Sequence, residues 1–172
     1  ALRSPIGSAP TPAAQPQPDG VSQSDTSPII EAITEGEAER LAQVFDQGLY
    51  KYHRALVGAD GTRQRVIDNA DLKHAKRYST ENGSLVFFYS RPNYQDRPND
   101  LPGGGYLMFL DKKGEMVGYG SWGRSRENYE IDFRFYVFPD KRKQGFGSEF
   151  LKLIVFSITH EQPAGVPVRT LV

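Results

Sequence analysis

The residues best suited to chemistry lie in one stretch, Pro139-Asp140-Lys141-Arg142-Lys143-Gln144-Gly145-Phe146-Gly147-Ser148. It leaves an alternating segment and enters an apolar helical one, so its N–H groups should converge on a helix amino end. Unsatisfied amides at the positive end of a helix dipole make an anion cradle. Gly145 and Gly147 let the backbone approach a phosphate closely, and Lys141, Arg142 and Lys143 add positive charge. Without such a ligand the stretch reads as a solvated basic turn.

Other motifs weaken on inspection. Gly118-Tyr119-Gly120-Ser121-Trp122-Gly123 fits G-x-G-x-x-G, but it falls inside a hairpin arm with no helix pattern after it. A dinucleotide fingerprint needs that helix. Ser121 is no nucleophile elbow, since tyrosine stands at 119 where glycine is required. His53, His74 and His160 show no metal-ligand spacing, so no metal site is expected. With no cysteine, a disulfide framework, a thiolate zinc site and a cysteine nucleophile are excluded.

The elements that must hold the cradle follow from periodicity. Residues 1–28 carry six of the twelve prolines and no aromatic residue, which predicts a flexible tail or linker. Residues 29–172 form the domain. Pro28–Ile33 reads as a short strand. Thr34 and Glu37 make a capping box for a helix with Ala38, Leu41, Ala42, Phe45 and Leu49 on one face. Residues 62–79 suggest a second helix with a thin apolar stripe of Val66, Ile67 and Ala70. Leu85–Tyr89 is a strand, and Arg91–Gly105 a loop or insertion. Tyr106–Leu110 and Met116–Trp122 flank the turn Asp111-Lys112-Lys113-Gly114 as a hairpin. In Tyr129–Phe138, Ile131, Phe133, Phe135 and Val137 share one face; Glu130, Asp132, Arg134 and Tyr136 share the other. Phe150, Leu151, Ile154 and Ile158 define a last helix, from Ser148 to His160, and residues 166–172 read as a strand. The order predicts a mixed α/β domain with an antiparallel meander and a late crossover helix.

Twenty-one basic and twenty-one acidic side chains cancel, so no overall nucleic-acid footprint exists. No apolar run is long enough to cross a bilayer and no signal segment opens the sequence, which places the chain among soluble proteins, with a cytoplasmic site expected. Zero cysteines do not themselves fix the compartment.

Arg142-Lys143-Gln144-Gly145-Phe146-Gly147 resembles the R/Q-x-x-G-x-G/A motif of the GNAT (GCN5-related) N-acetyltransferases. Phe135-Tyr136-Val137-Phe138-Pro139-Asp140 is similar to that family's strand-to-loop signature, Ile29–Phe45 to its first strand and helix, and Met116-Val117-Gly118-Tyr119-Gly120 to its third strand. The resemblance covers roughly residues 29–172. It implies a mixed, largely antiparallel sheet flanked by helices, and acetyl-coenzyme A as cosubstrate. The pyrophosphate would lie on the amides of Lys143, Gln144, Gly145, Phe146, Gly147 and Ser148, with Arg142 a further residue of the coenzyme-binding stretch. The pantetheine arm would lie along the backbone of Phe135 and Val137 like an added strand. The family often places a base on the long strand, which singles out Glu130 and Asp132; Arg134 could instead pair with Asp132 and make the face structural. The acceptor would be an amine, on a protein or a small molecule.

Two departures are visible. Leu85–Gly105 is longer than a minimal member needs. The helix after the family's fifth strand, where a tyrosine often serves as general acid, would lie beyond Val172, so the fold should look truncated there and the chain should be a fragment or processed form. The competing readings are a non-catalytic binding module of the same fold and an acyltransferase with a longer acyl donor.

Overall fold

The computed structural model describes residues 27–52, 56–57, 63–91, 103–124, 130–161 and 168–170. The expected tail therefore lies almost wholly outside the described residues, as do most of the insertion and the loop before the long strand. The elements are β1 (Ile29–Ala32), α1 (Glu35–Lys51), β2 (Leu56–Val57), β3 (Arg63–Gln64), α2 (Val66–Asn69), β4 (Ala70–Thr80), β5 (Gly83–Ser90), β6 (Gly104–Leu110), β7 (Met116–Arg124), β8 (Ile131–Val137), a 3-10 turn (Pro139–Lys141), α3 (Phe146–Glu161) and β9 (Val168–Thr170).

Seven strands form one sheet in the order β9-β8-β7-β6-β5-β4-β1, and β2 and β3 form a separate small hairpin. Every neighbouring pair in the large sheet is antiparallel except β8 and β9, which run parallel. That is the mixed, largely antiparallel sheet flanked by helices that was expected. The crossover through α3 is what makes the parallel pair possible, since parallel neighbours cannot be joined by a tight turn.

Each face of the sheet carries its own core. Phe150, Leu153, Ile154 and Ile158 of α3 pack on Tyr78, Leu85, Phe87, Leu107, Phe109, Ile131 and Phe133. Ala38, Leu41, Ala42, Phe45 and Leu49 of α1 pack on Val86, Phe88, Met108 and Leu110. Strand residues buried on both faces explain why Leu85–Phe88 and Leu107–Leu110 are continuous apolar runs rather than alternating ones. Among the described residues no helix is long and apolar enough to cross a membrane.

The amino end of α1 behaves as a capped helix, with Thr34 Oγ1 accepting from the Glu37 N–H at 3.1 Å. The carboxylate of Glu37 turns elsewhere, to Arg40 at 2.8 and 2.9 Å and to Arg77 at 3.3 Å. Its pKa is held down to about 2, chiefly by the Arg40 hydrogen bond.

A second long helix over 62–79 is not what forms. Only Val66–Asn69 is helical, its first amides received by Asp46 of α1 at 2.8 and 3.1 Å. Ala70–Thr80 is instead an eleven-residue strand. Its pairing with β5 slips between Asp71 and Lys76, and Asp71 accepts from the Lys73 N–H at 2.9 Å inside that irregularity. The bulge breaks the alternation that would have announced a strand. Sheet pairing, rather than local propensity, decides this segment.

Candidate functional site

β8 organises the site. Phe138, just past its end, donates its N–H to Val117 O of β7 at 2.9 Å. Backbone groups alternate sides along a strand, so the peptide groups of Val137 and Phe135 point off the opposite edge. On that edge β9 pairs only with Ile131, Asp132 and Phe133. Among the described residues no strand covers Arg134–Val137. The side chains of Phe135 and Val137 meanwhile pack toward α3, with Phe135 edge-on to Phe150 at 5.4 Å.

The chain then turns through Pro139–Lys141 into the cradle. Lys143 has φ 64° and Gly145 has φ 85°. Left-handed residues within such a turn gather successive N–H groups into a concavity. A lysine there is uncommon and costs strain, of a kind that clusters at ligand clamps. The first α3 amide to reach a carbonyl is that of Glu149, on Gly145 O at 3.3 Å. The amides of Phe146, Gly147 and Ser148 therefore have no intrahelical acceptor. A Cβ on Gly147 would meet only the Val137 side chain at 3.9 Å, so the protein itself leaves that approach open. The sequence-predicted residues Arg142 to Ser148 and the β8 positions Phe135 and Val137 thus sit together at one end of the strand.

Arg142 bridges the two parts. Its Nε donates to Val137 O at 2.9 Å, and its guanidinium lies over the Tyr136 ring at 4.9 Å. It therefore covers one of the two edge carbonyls that an added strand-like ligand would use. Lys141 reaches back to Glu115 at 3.4 Å, across an open groove also lined by Lys112, Lys113, Gln144 and Gly145.

Glu130 and Asp132 are not at the cradle. They lie at the start of β8, about 17 Å from Asp132 to Val137 by strand rise. Asp132 is half-buried and borders an open depression of about 370 Å³, together with Gly103, Ser121, Gly123, Arg124 and Arg134. The glycines of β7 explain why a dinucleotide letter pattern occurs here without its function. A Cβ on Gly120 would come within 2.4 Å of Arg134 O, so the position is glycine because β7 and β8 approach closely.

Two further features were invisible to periodicity. Tyr52, at the end of α1, donates to Asp140 at 2.5 Å and stacks on Phe138 at 4.1 Å. Burial, and then the Asp140 carboxylate, push the Tyr52 phenol up to about 12; the Tyr52 hydrogen bond holds Asp140 below its ordinary value. Helix α1 is thereby tied to the entrance of the cradle. At the other end of α3, Glu161 is buried and accepts from the Tyr78 and Tyr89 hydroxyls and from Lys76 at 2.9 Å. Burial raises its carboxyl, but those three donors outweigh burial and leave it lowered. Among the described residues no acidic or histidine group has the makings of a metal site.

No family model matches this chain, and no curated protein matches it. Similar solved structures include a ribosomal-protein-alanine N-acetyltransferase from Brucella melitensis biovar Abortus, at 15% identity and TM-score 0.39, covering 85% of this chain and 82% of that one. An acetyltransferase of Trypanosoma brucei is 12% identical at TM-score 0.35, covering 84% of this chain and 82% of the other. A GNAT superfamily phosphinothricin acetyltransferase from Sinorhizobium meliloti, in complex with AcCoA, is 14% identical at TM-score 0.31. That match covers 78% of this chain and 61% of the other.

Proposed function

We propose that this protein transfers an acetyl group from acetyl-coenzyme A to an amine. The observation that carries the reading is the junction of β8 and α3. There the left-handed Lys143 and Gly145 deliver a helix amino end with open amides, next to a strand edge that no described strand covers beyond Phe133. A pyrophosphate suits the first and an amide-bearing pantetheine arm the second. Arg142 would release Val137 O to that arm and turn its charge to the phosphates.

With the pyrophosphate at Arg142–Ser148 and the arm along Phe135 and Val137, the thioester would lie toward the middle of β8. The acceptor would come from the Asp132 end. Glu130 or Asp132, directly or through one water, would take a proton from the acceptor ammonium. The neutral nitrogen then attacks the thioester carbonyl, forming the C–N bond. An outward-facing N–H of β8 would receive the oxyanion. Collapse breaks the C–S bond, the nitrogen gives up its second proton, and the coenzyme leaves as a thiol after protonation. Holding both reactants along one strand supplies much of the rate.

Calorimetric titration with acetyl-coenzyme A, followed by mass spectrometry of labelled acetyl transfer to a panel of amines, tests the proposal. Binding with transfer is expected. Binding without transfer to any acceptor would turn the reading to a coenzyme-binding module, and absence of binding would overturn it. Glu130→Gln and Asp132→Asn should lower kcat/KM and shift its acidic limb. Full rate and an unaltered limb in both would remove these carboxylates from the mechanism.

A further inference from the structure

Resting on that reading, we infer that the open groove beside the cradle receives the nucleoside end of the coenzyme, and that Lys112 and Lys113 recognise its 3′-phosphate. The groove holds about 610 Å³, within the range of small-molecule sites. It begins at Gln144, Gly145 and Phe146 of the cradle and reaches Asn82, Lys112 and Lys113 at the hairpin tips. It runs along the flank of α3 that faces β4 and β6. On that flank Phe146 lies edge-on to Phe109 at 6.0 Å, and Glu149 accepts from Thr80 Oγ1 at 2.9 Å. The proposed pantetheine edge of β8 lies on the other flank, where Gly147 faces Val137. A ligand whose pyrophosphate sits over the helix amino end therefore has one flank for each of its two arms.

The charges along the groove decide what the second arm carries. Its three carboxylates are all engaged within the protein. Asp111 accepts from the Lys113 and Glu115 N–H groups, each at 2.9 Å. Glu115 meets Lys141 at 3.4 Å, and Glu149 meets Lys152 at 3.8 Å besides Thr80. Lys112 and Lys113 are exposed, and among the described residues their side chains have no partner. The turn that carries them is closed by the Gly114 N–H on Asp111 O at 3.0 Å, with Gly114 at φ 85°. Two adjacent ammonium groups without a carboxylate of their own favour a dianion. Coenzyme A carries one, a phosphomonoester one ribose away from its pyrophosphate. The contact between Glu115 and Lys141 holds the hairpin tip against the cradle, which suits that short separation. Phe146, half-buried at the near end of the groove, gives the adenine an aromatic wall.

The test uses two pairs of ligands that differ only in the 3′-phosphate: acetyl-coenzyme A and its 3′-dephospho form, and adenosine 3′-phosphate 5′-diphosphate and ADP. Exposed ion pairs are individually weak, so calorimetry should show the 3′-phosphorylated member of each pair binding about fivefold tighter or more. Because that preference is electrostatic, it should shrink as sodium chloride is raised. The double variant Lys112→Gln, Lys113→Gln should bring both ratios to within about twofold, at an unchanged melting temperature, since both side chains stand exposed on a turn. A wild-type ratio near one, or a ratio preserved in the double variant, would overturn the inference. If acetyl-coenzyme A binds with no preference over its dephospho form, the groove assignment falls while the transferase reading stands. If acetyl-coenzyme A does not bind but the 3′-phosphorylated nucleotide still outbinds ADP, the transferase reading fails and the groove keeps its ligand class. No binding by any of the four would overturn both.

Discussion

Gly145 and Gly147 share a motif yet have different jobs, which a pair of alanine substitutions should separate. Gly145 has φ 85°, and a Cβ there would meet nothing within 4 Å. Any cost of a side chain is therefore backbone strain and not a clash, about 1–2 kcal/mol for a left-handed residue. Gly147 lies in the first turn of α3 and its φ is not left-handed. Alanine there gains up to about 1 kcal/mol of helix propensity, against a lone contact at 3.9 Å. Thermal unfolding by circular dichroism should show Gly145→Ala melting about 3–8 °C lower and Gly147→Ala unchanged or slightly higher. Coenzyme binding should fall in both, for opposite reasons: one variant distorts the cradle, and the other puts a methyl group where the pyrophosphate must approach. The loss should be about 1–3 kcal/mol, the scale of buried hydrogen bonds left unmade, or roughly 5- to 150-fold in Kd. Equal melting temperatures would show that the left-handed turn is not required. Wild-type affinity for acetyl-coenzyme A in both variants would remove the pyrophosphate from this loop.

Glu161→Gln should cost about 2–3 kcal/mol, because it takes the charge from a buried acceptor of three donors; unchanged unfolding in urea would refute this. Since the native Glu161 carboxyl is lowered, its contribution is present above the ordinary carboxylate range and lost as pH falls through the folded value. The variant's stability should accordingly depend less on acid than the wild type's, as a pH series of melts would show. Tyr52→Phe keeps the stack on Phe138 but loses the bond to Asp140, and should weaken coenzyme binding a few-fold with little change in the fold. The Tyr52 phenol is raised to about 12, so the stability it lends holds below the ordinary phenol value, near 10, and is lost as pH rises toward 12. Burial and the Glu161 hydrogen bonds also raise the Tyr78 and Tyr89 phenols, so the readout is the difference between the two proteins: a wild-type minus Tyr52→Phe ultraviolet titration with no component at about 12 would contradict that assignment.

Helices α1 and α3 and strand β8 could be read from the sequence because each buries one face, and β5 and β6 because they carry continuous apolar runs buried on both. Ala38, Leu41, Ala42, Phe45 and Leu49 repeat at helical spacing, and all five are buried. Ile131 and Phe133 alternate with Asp132 and Arg134, and the structure buries the first pair while leaving the second on the opposite face. β4 could not be read this way. Its charges serve partners far along the chain: Arg77 meets Glu31 and Glu37, and Lys76 meets Glu161. Neither pairing has a period, so the segment looked like a polar helix with a thin stripe.

The same limit divides the candidate site. The cradle was legible because its signal is local: glycines, basic residues and a helix start within ten residues. The clasp between Tyr52 and Asp140 joins residues 88 apart, and the floor of the depression depends on Gly104, Gly123 and Asp132 meeting across three strands. What joins these parts is the register of β8. Its outward peptide groups at Phe135 and Val137 and its charged face at Asp132 and Arg134 are fixed by one pairing with β7. Shifting that pairing by a single residue would turn Ile131 and Phe133 toward the depression and Asp132 into the α3 core. Buried Ile131 and Phe133 therefore do more than fill the core. By making the slipped register costly, they hold the proposed acceptor end and the proposed coenzyme end of the strand at one fixed separation.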